Sequence, residues 1–236
     1  MSTILVVDDE EKILKLLKSY LEFSQFSVFC ARTGKEALQI FGREKIDLIL
    51  LDLMLPGASG ETVCETIREP APLGFGSSVP IIMLTAKVDE ESIVKGLNIG
   101  ADDYVTKPFS MRTVSARVKA ILRRTSSMSG ENKNGDESKR INCGDLVICS
   151  DTKIVTKNGS EINLTPAEFK ILHLLAGRRE KIWSRDEIVE HALGDDFDGF
   201  DRAVDSHIKN LRQKIGDDPK NPTHIITVYG SGYRCK

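Results

Sequence analysis

"TILVVDDEEKI", Thr3–Ile13, closes an apolar run with two adjacent carboxylates, Asp8 and Asp9. Repulsion and desolvation both oppose such a pair at the end of a buried strand unless a cation compensates them. The plain alternative is the start of a solvated helix, where acids suit the positive helix end. The rest of the first half chooses between these readings. Short β-branched runs at Thr3–Val7, Ser27–Ala31, Leu48–Leu51, Pro80–Leu84 and Asp103–Thr106 alternate with amphipathic stretches. The latter are Glu10–Glu22, Gly34–Arg43, Gly60–Glu69, Glu90–Ile99 and Ser110–Arg124. Ile13, Leu14, Leu17 and Leu21 share one helical face. Strict alternation of strand and helix predicts a parallel sheet covered on both faces, with its ligand crevice at the carboxyl ends of the strands.

The polar residues of this half fall at those ends. Asp52 follows "DLILL", Thr85 follows "PIIML", and Lys107 follows "DDYVT" and precedes Pro108. A parallel sheet brings Asp8, Asp9, Asp52, Thr85 and Lys107 to one edge. Three carboxylates there make a hard oxygen site suited to Mg²⁺. Such a cation accounts for the adjacent acids and lets Asp52 attack a phosphoryl donor, because it shields the approach of two anions. Lys107 and the Thr85 hydroxyl are placed to hold phosphoryl oxygens. Singly, Asp52 reads as a loop acid and Lys107 as a solvated cation; five such residues at four strand ends are a poor match to decoration.

The 236 residues suffice for two domains, each able to bury a core. "TSSMSGENKNGDESKR", Thr125–Arg140, contains one apolar residue in sixteen and reads as a flexible linker. It separates a domain at residues 1–124 from one at 141–236. Net charge is −2 overall, with 16 Lys/Arg against 17 Asp/Glu in residues 1–124 and 14 against 15 in residues 141–236. Affinity for nucleic acid therefore has to come from a local cluster of positive charge. The five cysteines are scattered, with no CxxC pair, as suits reduced thiols. The beginning of the chain has no basic region followed by a long apolar one, and no apolar run approaches 18 residues. A cytoplasmic protein with no membrane partner is expected.

Beyond the linker, strand-like pieces up to Leu164 precede helical patterns at Pro166–Leu175, Ser184–Ala192 and Ala203–Ile215. Thr165, Pro166 and Glu168 form a capping-box signature. "ITVYGSGYRCK" closes the chain as a hairpin turned by Gly230 and Gly232. On the last helix Val204, Ile208, Leu211 and Ile215 make one apolar stripe. Opposite stand Arg202, Ser206, Lys209, Asn210 and Gln213, with Arg212 and Lys214 on the flanks. A face of Arg, Lys and Asn can enter the major groove, Arg reading guanine and Asn adenine; a solvated helix face is the alternative.

"VVDDE", "DLILLDLMLPGASG", "IIMLTA" and "GADDYVTKPF" resemble the receiver domain of two-component response regulators over residues 1–124. The resemblance implies a flavodoxin-like, doubly wound five-stranded sheet of order 2-1-3-4-5. It implies Asp52 as phosphoacceptor, phosphorylated by a sensor histidine kinase in a self-catalysed step, the chain being otherwise no enzyme. Asp9 and Asp52 would hold Mg²⁺, with Asp8 acting mainly through water and the Met54 carbonyl as a further ligand. Thr85 and Tyr104 would be the switch pair, Lys107 the phosphate partner, and the Lys107–Pro108 bond cis. Activated receivers would pair as homodimers through the fourth helix, fifth strand and fifth helix. There Asp103 and Arg117 match one usual ion pair, while Ile93 and Thr113 replace another.

"LTPAEFKILHLL", "SRDEIV", "RAVDSHIKNLRQKIG" and "ITVYGSGYR" resemble the α+β winged-helix domain of the OmpR/PhoB class. This implies a transcription regulator that binds double-stranded promoter DNA. Arg202, His207, Lys209, Asn210 and Arg212 match the DNA-contacting positions, and Gly230–Arg234 matches the wing. Tyr229 stands where the wing usually carries Arg. The acidic loop Gly194–Asp201 suits a basic surface on RNA polymerase; a solvated loop is the alternative.

Overall fold

The computed structural model describes residues 1–69, 74–75, 77–86, 96–126, 140–194 and 201–236, main chain only at 124–126 and 201–202. The chain divides into two compact units, Met1–Arg123 and Arg124–Lys236.

The first unit holds strands β1 (Thr3–Val7), β2 (Ser27–Ala31), β3 (Leu48–Asp52), β4 (Ile81–Thr85) and β5 (Asp103–Thr106). All pairings are parallel and the order is β2-β1-β3-β4-β5. β3 and β4 are buried along their whole length, as continuous apolar strands are when helices cover both faces. The helices are α1 (Glu11–Phe23), α2 (Gly34–Phe41), α3 (Gly60–Arg68), α4 (residues 96–99) and α5 (Met111–Ser126). Leu14, Leu17 and Leu21 of α1 enter a core with Ile4, Val6, Leu48, Leu50 and Val118. Local chemistry fixes the helix starts: Thr33, Ser59 and Ser110 each accept a main-chain N–H from the first turn. Winding reverses between β1 and β3, so the switch-point crevice opens at their carboxyl ends.

The second unit opens with an antiparallel sheet of β6 (Arg140–Cys143), β7 (Leu146–Cys149), β8 (Val155–Lys157) and β9 (Ser160–Ile162). Helix α6 (Pro166–Gly177) follows, then α7 (Arg185–Ile188), which runs into a π-helical stretch, Val189–Leu193. Helix α8 (Asp201–Ile215) precedes the hairpin of β10 (Ile225–Val228) and β11 (Gly232–Cys235). The capping box at Thr165 and Glu168 forms, and Ser184 with Glu187 makes another. Val204, Ile208, Leu211 and Ile215 turn into the core, leaving one other arc of α8 for Lys209 and Gln213. Gly232, at φ +140°, lets β11 lie on the Trp183 main chain, where a Cβ would meet the carbonyl oxygen at 2.0 Å.

Two boundaries differ from the sequence reading. α5 continues through Ser126, two residues into the expected linker, and β6 takes its last residue, Arg140. An extending helix needs only main-chain hydrogen bonds, so polar composition does not stop it. Residues 127–139 of the linker, and all of the expected fourth helix before residue 96, lie outside the described residues.

Candidate functional site

Register builds the site at the carboxyl edge of the first sheet. Val7 lies opposite Leu51, so Asp8 and Asp52, one residue further along each strand, are neighbours. Thr85 ends β4 opposite Thr106, and Lys107 follows at once. The Lys107 ammonium donates to Asp8 Oδ2 at 2.8 Å and to Asp52 Oδ2 at 3.0 Å. Its main-chain N–H donates to the Thr85 carbonyl at 2.6 Å, and the Lys107–Pro108 bond is cis. The other oxygens are steadied locally: Glu10 N–H donates to Asp8 Oδ1 at 2.9 Å and Met54 N–H to Asp52 Oδ1 at 3.3 Å. Gly60 lets the start of α3 close on Asp52, since a Cβ there would meet the Asp52 carbonyl oxygen at 2.1 Å.

Asp8 and Asp52 are buried, at 0% and 3% exposure, whereas Asp9 is exposed. Burial pushes the Asp52 carboxyl above its ordinary value, against the pull of Lys107 and the Met54 N–H; the Asp8 charge adds to the rise. Burial pulls Lys107 down, but its hydrogen bonds to Asp8 and Asp52 outweigh that and raise it. Asp8, Asp9 and Asp52 each offer an oxygen within 4.8 Å of the others. Among the described residues the three carboxylates, with Glu10 3.8 Å from Lys107, outnumber the Lys107 ammonium and the Arg32 guanidinium at the Asp9 carbonyl, at an edge that Asp9 opens to solvent. That donor set fits a hard divalent cation such as Mg²⁺, which takes a few carboxylates and keeps waters. Behind it, Thr85 and the buried Tyr104 line one cavity with Leu53, Met83, Leu97 and Ala101.

In the second unit several buried and half-buried charges pair within the unit, although the buried Arg212 Nε has no partner. Arg212 donates to the Ile225 carbonyl at 2.6 Å and to Thr227 Oγ1 at 2.9 Å, tying α8 to β10. Lys214 reaches Glu168 at 2.7 Å. Asp205 accepts from Arg185 at 2.8 Å and from the Tyr233 hydroxyl at 2.7 Å. Burial, and then the Asp205 charge and hydrogen bond, push Tyr233 up to about 12.

Residues 4–119 match the response regulator receiver domain, and residues 159–235 match the C-terminal domain of transcriptional regulatory proteins. DrrB of Thermotoga maritima, an OmpR/PhoB homolog, is 35% identical, with 100% of this chain and 99% of that one covered and a TM-score of 0.49. The chain belongs to the OmpR/PhoB response regulators. The receiver domain of Francisella response regulator 1452 is 33% identical over 53% of this chain and 99% of that one, TM-score 0.50. A mutant of RitR shares the fold at 24% identity, over 100% of this chain and 99% of that one, with a TM-score of 0.73.

In this response regulator the receiver brings together Asp8, Asp9, Asp52 and Lys107, with Met54 exposed beside Asp52 and Thr85 joined to Lys107 through its main-chain carbonyl. Asp103 and Arg117 pair with each other at 2.7 Å within the chain. Thr113 is exposed near the start of α5, and Ile93 lies outside the described residues. On α8, Lys209 is exposed, whereas Ser206, His207 and Asn210 are buried in this structure. Arg212 and Lys214, expected at DNA, are instead committed inside their unit, because a buried guanidinium or carboxylate requires a partner. Tyr229 is 92% exposed in the wing turn and Arg234 half-buried; the Arg202 side chain lies outside the described residues. Sequence reading missed Glu10 and the Arg32 guanidinium, which donates to the Asp9 carbonyl at 3.3 Å. It also missed the Asp205 hub. Asp205 being the lone acid between Ala203 and Ile215 was the available signal.

Proposed function

We propose that Asp52 accepts a phosphoryl group from a sensor histidine kinase, and that the phosphorylated chain pairs with a second copy on promoter DNA. The observation that carries this is the charge excess around Asp52, with Lys107 already bridging Asp52 and Asp8. Asp9 and Asp52 would hold Mg²⁺ directly, Asp8 mainly through water, and the Met54 carbonyl would complete the set. When bound, the ion supplies shielding between the anionic donor and the Asp52 carboxylate. The remaining work belongs to the chain. An Asp52 oxygen attacks phosphorus, the phosphorus–nitrogen bond to the kinase histidine breaks, and an acyl phosphate forms. Lys107 steadies the phosphoryl oxygens and the Thr85 hydroxyl turns toward them, with Tyr104 filling the cavity that the two residues share.

For the output, Lys209 and Tyr229 are the solvent-facing groups that meet DNA, while Arg212 positions the wing through Ile225 and Thr227. Arg202 belongs to the proposed reading face, and Ser206, His207 and Asn210, buried in this structure, join it only once uncovered. The dimer surface is assigned to α4, β5 and α5, where Asp103 and Arg117 exchange their internal pair for a cross-subunit one. RNA polymerase is assigned to the acidic loop, whose residues 195–200 lie outside the described residues, and the cytoplasm is the assigned location. No helix among the described residues is long and apolar enough to cross a membrane.

The test is intact mass after treatment with acetyl phosphate and Mg²⁺. The wild-type chain gains one phosphoryl group and Asp52→Ala gains none. Undiminished labelling of that variant would place the chemistry elsewhere.

A further inference from the structure

The sequence scatters its cysteines, but the fold brings two of them together in the winged-helix unit. Cys143 ends β6 and Cys235 ends β11, 92 positions apart, and their sulfurs stand 2.7 Å from each other. Sulfurs this close are within reach of a disulfide, whose S–S bond is about 2.0 Å long. The strands belong to different sheets, and both thiols are buried where those sheets meet the core of the unit. All five cysteines are unbridged here.

We propose that Cys143 and Cys235 form a thiol-modification site: a reversible disulfide made on exposure to a peroxide-class oxidant. The Cys143 thiolate attacks one peroxide oxygen, the O–O bond breaks, and water leaves, giving a sulfenic acid on Cys143. The Cys235 sulfur then attacks the Cys143 sulfur and displaces the hydroxyl group as a second water. Two thiols lose two protons and two electrons, and one peroxide becomes two waters. A dithiol reductant reverses the bond by exchange.

The roles of the two sulfurs follow from their surroundings. The hydrogen bond from Cys235 lowers Cys143 below the ordinary thiol value, with burial and Asp217 opposing it and the nearby Arg179 and His224 assisting. The same hydrogen bond and burial push Cys235 upward, so it remains a protonated donor until the second step. The resting Cys143 thiol also donates to the carbonyl of the exposed Lys236 at 3.8 Å, so fraying of the last residue is what opens the buried pair to an oxidant. The bond would fasten the return strand of the wing to the amino-terminal sheet of the unit. A bridge across so long a loop restricts the unfolded chain strongly.

The experiment treats the full chain with hydrogen peroxide, alkylates remaining thiols, and maps the unreduced digest by mass spectrometry. The expected product is one linked peptide pair joining Cys143 to Cys235, two hydrogens lighter, with Cys30, Cys64 and Cys149 alkylated. The melting temperature of the oxidised protein should rise by roughly 5 °C or more and return on reduction. Dimedone added during oxidation of Cys235→Ser should label Cys143. Alkylation of both Cys143 and Cys235 after oxidation, or their bridging to other cysteines, overturns the proposal. So does a disulfide-free wild type with each sulfur oxidised separately.

Discussion

At the carboxyl edge of the receiver sheet Asp8, Asp9 and Asp52 gather around the Lys107 ammonium, whereas in the winged-helix unit the buried and half-buried charges described pair with groups of their own, Arg212 keeping only its Nε unpartnered. Asp205 takes Arg185 and the Tyr233 hydroxyl, Glu168 takes Lys214 and the Thr165 N–H, and Arg212 takes the Ile225 carbonyl. Both units bury charge, so burial alone does not separate a site from a scaffold. The balance does. A closed network is explained by the fold it holds, while an open one is costly unless a ligand completes it.

The comparison is tested most severely by removing the ammonium that bridges Asp8 and Asp52. Lys107→Met leaves Asp8 and Asp52 facing each other without compensation and should cost about 3–5 kcal/mol in urea unfolding. Mg²⁺ should recover part of that loss, because the deficit is one of positive charge. Unchanged stability would mean that the carboxylates need no compensation.

A closed network should respond differently. Asp217 accepts from Thr223 N–H at 2.6 Å, from its hydroxyl at 2.7 Å and from Ile225 N–H at 2.9 Å. Asp217→Ala strands those donors and should cost about 2–3 kcal/mol, with no recovery in Mg²⁺. Burial pushes this carboxyl up, but the Ile225, Thr223 and His224 donors outweigh it and hold it below 3.8. A depressed carboxyl stabilises fully above its unfolded value and loses that contribution as the pH falls through the folded one. The stability gap between wild type and variant should therefore be widest above about pH 5 and close on acidification. A gap that widens in acid would contradict the assignment.

On α8 the contrast narrows to two neighbouring cations. Arg212→Ala should destabilise the unit by about 2 kcal/mol, since it removes charged hydrogen bonds to Ile225 and Thr227. Lys209→Ala should leave stability unchanged and flatten the log K against log salt slope for DNA by about 0.9. The reverse pattern would show that the inward and outward cations have been exchanged.

What was legible in the sequence followed from geometry that needs no side-chain detail. In a parallel sheet any residue one step past a strand end lands on the same edge. "VVDD", "LLD", "MLT" and "VTK" therefore placed Asp8, Asp52, Thr85 and Lys107 together before any contact was known. A helical wheel says less. It found the stripe of Val204, Ile208, Leu211 and Ile215, but not that Arg212 and Lys214 would meet Ile225 and Glu168, because those partners come from distant segments. The meeting of Cys143 with Cys235 is of the same kind, a contact between sheets that no local pattern encodes.

The central claim, that the receiver edge is an open site and the winged-helix networks are closed, is tested most directly by hydrogen exchange of the full chain with and without Mg²⁺. Added Mg²⁺ should slow exchange in the segments that follow β1 and β3, around Asp8–Glu10 and Leu53–Gly57, and leave residues 140–236 unchanged. Asp9→Asn should reduce the effect. Protection spread equally over both units, or none around Asp8 and Asp52, would contradict it.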